Sequence, residues 1–173
     1  VKDGLGSAIL AGISTVTLEN CIVDSNDIIS KREAIGTIHC SNSILTISKS
    51  IIKDNYLQVY NSSVNGGRII EAGAVFFQAL IKPLTIENTL IVNNRFDPFS
   101  TTMNNVGGAI SYYGKLRITH CTIADNKRVD GGYIKGKSIH HYGFTSGKKE
   151  YVRNSILWNP GSTGSEIFLD SAQ

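Results

Sequence analysis

The chain has 173 residues, 41% of them hydrophobic, which suits a single domain spanning 1–173 with a real core and leaves little room for a second. Seventeen glycines against three prolines, with abundant Asn, Ser, Thr and Ile, favour short strands and frequent turns over helices, and every apolar run is too short to cross a bilayer as a helix. The formal net charge of +3 does not point to a nucleic-acid partner, but it is unevenly placed: nine Lys or Arg fall between Lys115 and Arg153 against three acidic residues, so that stretch carries +6 and the remainder −3. Scattered lysines ordinarily serve solubility; a hold on an anionic polymer is the functional alternative. Val1 rather than Met opens the sequence without a basic and apolar leader, which reads as a mature or excised segment.

Taken in chain order, five segments align with one another. They run from Val16 to Asn26, Leu45 to Asn55, Leu84 to Asn94 and Leu116 to Asn126, with a shorter and less regular fifth from Val152 to Asn159. A small residue and an aliphatic one precede each, at Ala8 and Ile9, Ala34 and Ile35, Ala74 and Val75, Ala109 and Ile110, and Ser138 and Ile139. Within a unit the apolar pattern has period two, the mark of a strand. Leu116 and Ile118 face one way, Arg117 and Thr119 the other. After a bend the inward set becomes a small residue (Cys21, Ser50, Thr89, Cys121, Ser155) and then an aliphatic one (Val23, Ile52, Ile91, Ile123, Leu157).

Each unit closes on an asparagine, and Asn26, Asn55, Asn94, Asn126 and Asn159 lie 29, 39, 32 and 33 residues apart. Constant strands joined by connections of varying length define a solenoid. The expected fold is therefore all-β, a right-handed parallel β-helix of five coils, about 24 Å tall at roughly 4.8 Å per coil. Asparagine tolerates the left-handed backbone of a tight corner, and stacked side-chain amides bond along the pile, so this column is a structural ladder.

Gly107, Gly108, Ala109 and Ile110, followed at strand spacing by Ile123, Ala124, Asp125 and Asn126, resemble the repeat of the polymorphic outer-membrane-protein passengers, which belong to the pectate-lyase-like group of right-handed β-helices. The resemblance implies a secreted or surface-displayed module acting in adhesion, at an extracellular or cell-surface location. Enzymes of that group act on polysaccharides, so the alternative function is a lyase or hydrolase working on an acidic polysaccharide. A lyase needs clustered carboxylates for calcium and a basic proton acceptor, and a hydrolase needs converging acids. No such set recurs at adjacent stacked positions here, so no catalytic residue is assigned.

By parity with inward Val75, Ile110 and Ile139, the outward column beside the basic segment is Gln78, Tyr113, His140 and Tyr142. Its flat rings suit a sugar face or a partner's side chain. Lys127, Arg128 and Lys137 are the candidates for gripping an acidic sugar. A second outward stripe, Ile22, Ile51, Leu90 and Ile156, is apolar; it either lies under an inserted segment or forms a lateral interface with another copy. Nothing before Ala8 is long enough to cap the stack, which suggests self-association or the remainder of a longer β-helix as partner at that face. Cys21 and Cys121 occupy one slot about 14 Å apart, too far for a disulfide, while Cys40 falls between coils. All three read as thiols, two of them buried, and neither a metal site nor a cofactor is called for. Asn61, Ser62 and Ser63 match a glycosylation triplet, a weak signal by itself.

Overall fold

The computed structural model describes residues 7–30, 36–59, 71–97, 106–130, 132–142 and 150–169. The first coil comprises β1 (Ile9–Gly12), β2 (Thr15–Glu19), β3 (Ile22–Asp24) and β4 (Asp27–Ser30). The second repeats it as β5 (Ile38–Ser41), β6 (Ile44–Ser48), β7 (Ile51–Lys53) and β8 (Tyr56–Val59). In the third, a short β9 (Glu71–Ala72) precedes a long bent β10 (Val75–Glu87), then β11 (Leu90–Val92) and β12 (Arg95–Asp97). The fourth matches the third: β13 (Val106–Gly107), β14 (Ile110–Thr119), β15 (Thr122–Ala124) and β16 (Lys127–Arg128). The stack finishes with β17 (Ile139–His141), β18 (Tyr151–Arg153), β19 (Ile156–Trp158) and β20 (Ile167–Leu169).

Every pairing is parallel and joins equivalent strands of successive coils. The result is an all-β solenoid, without helix among the described residues, built from a nine-stranded sheet with two limbs, a five-stranded sheet, a four-stranded sheet and a two-stranded one. The first limb contains β1, β5, β17, β20 and the leading halves of β10 and β14; the second contains β2, β6, β18 and the trailing halves. The turns number about four rather than five. The four-stranded sheet has no fifth strand beyond β16 among the described residues: Pro160 and Gly161 follow Asn159, and Thr163 instead forms an isolated bridge with Tyr133, outside that sheet.

The expected small-aliphatic pair of the second coil is also displaced. Ile38, not Ile35, pairs with Ile9 and Val75, so Thr37 and Ile38 hold that register; Ala34 and Ile35 lie outside the described residues. Cys40, expected between coils, is in β5, faces inward and pairs with Phe77.

Period-two alternation sends one face of each strand into a continuous core. Leu45, Ile47, Ile52, Leu84, Ile86, Ile91, Ile118 and Ile123 are all fully buried there. Burying one such side chain is worth about 1.5–3 kcal/mol, and no coil can collect that gain without its neighbours. Glycine meets a steric demand where coils approach closely: a Cβ on Gly108 would lie 2.1 Å from the Lys137 carbonyl oxygen.

The asparagines stand in one column. Asn26 Nδ2 donates to Asn55 Oδ1 at 2.8 Å, Asn55 to Asn94 at 2.8 Å, Asn94 to Asn126 at 2.8 Å, and Asn126 to Asn159 at 3.2 Å. Each receiving Oδ1 also accepts the backbone N–H of the asparagine before it. In return Nδ2 of Asn55, Asn94 and Asn126 reaches back to the carbonyls of Val23, Ile52 and Ile91. Four of the five are fully buried, a position tolerable only because their polar atoms are bonded. The column ends on Glu166, whose carboxylate accepts from the Asn159 backbone N–H at 3.0 Å, from its Nδ2 at 2.8 Å and from the Ser138 hydroxyl at 2.6 Å, and pairs with Lys137 at 3.0 Å.

Candidate functional site

The left-handed residues of the corner belong to a neighbouring position. Ser25 (φ 54°), Asp54 (φ 52°), Asn93 (φ 53°) and Asp125 (φ 55°) each precede a ladder asparagine. The ladder asparagine turns its amide inward, and the preceding residue absorbs the bend on the outside. The residue just past the ladder then points outward at the start of the four-stranded sheet, and register stacks Asp27, Tyr56, Arg95 and Lys127 there.

Corner and row together enclose a groove of about 590 Å³ lined by Asp54, Tyr56, Asn93, Arg95, Lys127 and Val129. It runs across the second, third and fourth coils, along the stack. The Tyr56 hydroxyl donates to Asp97 Oδ2 at 3.0 Å, and Gln58 Nε2 donates to the same oxygen at 3.1 Å, which pins the phenol ring on the groove wall. Gly161 leaves room for the Lys127 stem, since a Cβ there would lie 3.1 Å from Lys127 Cδ. Exposed Val129 adds apolar surface.

The acidic groups nearby are largely committed. Asp54 pairs with Lys53 at 3.3 Å and accepts from Asn93 Nδ2. Lys53 also reaches Asp24 at 3.1 Å; the Ser25 hydroxyl and Lys53 hold the Asp24 carboxyl below its ordinary range, and Asp24 with Asp54 raises the Lys53 ammonium. Among the described residues Arg95 and Lys127 have no carboxylate partner.

The expected aromatic column is only partly on the surface. Gln78 is exposed and Tyr113 half-buried, but His140 and Tyr142 are buried. The parity was right, since inward Phe77 and Tyr112 pack in the core while Phe76, Ser111 and His140 point outward. What the alternation did not show is a second layer. Ala72, Phe76 and Tyr142 form a separate apolar cluster outside the first limb, with Tyr113 packed against it. Phe76 and Tyr142 stack at 5.7 Å between ring centroids, and His39 meets Phe76 edge-on at 4.9 Å. Burial there pushes the Tyr142 phenol up, and Tyr113 adds to the effect.

Two of the three expected sugar-gripping cations are engaged elsewhere. Arg128 is 2% exposed and lies in register beneath buried Phe96, inside the coil. Its guanidinium binds Asp130 through Nη2 at 2.9 Å and Nε at 2.6 Å, and donates to the Tyr133 carbonyl. Lys137 is mostly buried on Glu166. Lys127 alone lines the groove. Lys148, Lys149 and the Asn61 triplet lie outside the described residues.

The aliphatic stripe does face outward and in register on the five-stranded sheet. Ile22 is 66% and Ile156 62% exposed, with Ile51 and Leu90 half-buried between them and Thr122 completing the row. Trp158, 63% exposed on the same strand as Ile156, extends the apolar surface. Another groove of about 520 Å³, lined in part by Lys49, Asn88, Leu90 and His120, flanks the opposite side of this sheet.

All three thiols are unpaired; Cys40 and Cys121 are buried and Cys21 is half-buried. No cluster of three His, Cys, Asp or Glu suited to a metal forms among the described residues, and no helix there is long and apolar enough to cross a membrane. Tyr56 and Arg95 were not singled out from sequence, although the position was legible: it is the residue immediately after each ladder asparagine. No protein-family model, curated protein or solved structure matches the chain.

Proposed function

We propose that this chain is a non-catalytic β-solenoid module of an extracellular or cell-surface protein that binds glycan chains in the groove of Tyr56, Arg95 and Lys127. The observation that carries the reading is the repetition of the groove's wall, one residue per coil, along the stacking direction. An extended polymer laid along the solenoid meets an equivalent position every ~4.8 Å, close to the advance of one sugar ring in an extended polysaccharide. The anchored Tyr56 ring offers a stacking surface, and Asn93 and Arg95 offer polar contacts for hydroxyl groups.

A glycan array tests the reading. Binding to at least one extended polysaccharide is expected, and Tyr56→Ala is expected to reduce it about tenfold or more. An array silent for the folded protein would end the proposal.

A second reading is favoured by the exposed apolar row of Ile22, Ile156 and Trp158: lateral association of two copies through the five-stranded sheet. Sedimentation velocity should then show a concentration-dependent dimer that Trp158→Asp abolishes. A monomer at every concentration would dismiss it.

A further inference from the structure

Resting on that glycan-binding reading, we infer that the groove selects an acidic polysaccharide, one carrying a carboxylate or sulfate on its sugars, with Arg95 and Lys127 as the residues that read the charge. Register places the two cations on adjacent rungs, Arg95 in β12 opposite Lys127 in β16, about 4.8 Å apart along the stack. Both line the groove, Arg95 exposed and Lys127 partly so, and neither has a carboxylate partner among the described residues. This contrasts with the other basic groups near them. Lys53 is tied to Asp24 and Asp54, Arg128 to Asp130, and Lys137 to Glu166.

The neighbours tune the preference. Tyr56 is one rung before Arg95, so the groove presents a ring, then a guanidinium, then an ammonium in consecutive coils. The planar guanidinium takes a carboxylate or sulfate through two parallel hydrogen bonds, while the ammonium on its flexible stem serves as a point charge. Two cations without a carboxylate partner among the described residues match a chain bearing one anion per sugar or per disaccharide. They do not match polyphosphate, whose denser charge would meet Asp54 on the groove wall, Asp97 behind Tyr56 and Asp125 further along the same corner row.

Calorimetric titration of the whole chain with polygalacturonate and alginate oligosaccharides, with neutral dextran and with polyphosphate tests the inference. The acidic oligosaccharides should bind, and affinity should fall as sodium chloride is raised. Arg95→Gln and Lys127→Gln should each weaken binding about tenfold, whereas Lys49→Gln, outside this groove, should leave it unchanged. Equal binding of dextran, insensitive to Arg95→Gln but lost in Tyr56→Ala, would overturn the charge selection and leave the glycan reading standing. Tighter binding of polyphosphate than of either uronate would also overturn it. Failure of every oligosaccharide to bind would remove the reading on which it rests. Unchanged circular dichroism and melting temperature of both Gln variants would assign the loss to the groove.

Discussion

Replacing Asn94 by alanine probes what the ladder contributes. Its side chain makes five contacts inside the stack: Nδ2 donates to Asn126 Oδ1 at 2.8 Å and to the carbonyls of Ile52 and Val92 at 3.1 Å, and Oδ1 accepts from Asn55 N–H at 3.2 Å and Asn55 Nδ2 at 2.8 Å. Alanine leaves the Asn55 N–H buried without its acceptor, about 1–3 kcal/mol by itself, and removes several donor bonds worth about 1 kcal/mol each, for a total of roughly 3–5 kcal/mol. Asn26→Ala is the internal comparison. Asn26 is only half-buried, and its amide donates to Asn55 Oδ1 and the Asp24 carbonyl without receiving a bond on its own Oδ1 from a described residue, so the expected loss is about 1 kcal/mol or less. Urea denaturation measured on both variants, with m checked for constancy, supplies the difference. Equal losses, or a loss below about 1 kcal/mol for Asn94→Ala, would refute the claim that buried amide bonding, rather than shape alone, holds the column together.

Three further outcomes follow from the same coordinates. Burial alone would raise the Glu166 carboxyl, but bonds from Ser138, Asn159 and Lys137 outweigh it and hold the group below its ordinary 4.5. Its stabilisation is therefore present above that pH and lost as pH falls through the lower folded value, so the gap between thermal melts of Glu166→Gln and the parent should shrink progressively as pH is lowered below 4.5. His39 is held neutral by burial, its ring lowered from 6.5. Stability should decline as pH falls below that value, and His39→Leu should show a shallower decline in the same melts. Burial pushes the Cys40 thiol up to about 11 and raises the Cys121 thiol as well, whereas Cys21 is half-buried. A thiol reagent at pH 8 should label Cys21 first in the folded protein and all three only in denaturant; fast labelling of Cys40 would contradict the packing.

The architecture was legible because the repeat is written in residue types that each obey a local rule. Leu, Ile and Val at every second position specify strands, and an asparagine at a fixed place in each unit specifies the register. Two physical effects hid the rest. The bend belongs to Ser25, Asp54, Asn93 and Asp125, short polar residues of the same turn-forming class as the ladder asparagine beside them, so residue type alone does not tell the two positions apart. Arg128 looks like a surface cation in sequence, yet it occupies the slot of Ile28, Leu57 and Phe96, two residues past each ladder asparagine. Counting from the asparagine would have placed it inside and exposed the groove row at the same time. His140 and Tyr142 were misjudged for a different reason: alternation tells which side of a strand a residue occupies, and the chain's own second layer decides whether that side meets water.

The connections of varying length do not fall at random around the coil. Residues 31–35, 60–70 and 98–105 all fall after a strand of the four-stranded sheet and before the next first-limb or two-stranded rung, while the two corners on either side of the five-stranded sheet stay at one residue count throughout. The connection between the two limbs varies as well, since residues 79–82 stand opposite the single Gly114 and residues 143–149 fall between β17 and β18. Length changes are thus kept out of the corners that flank the five-stranded sheet and occur at the other two places around the coil, where loop length carries little thermodynamic penalty. Those two connections can be rewritten without disturbing the amide column, so a lineage can change what the rod displays while inheriting the rod itself unaltered.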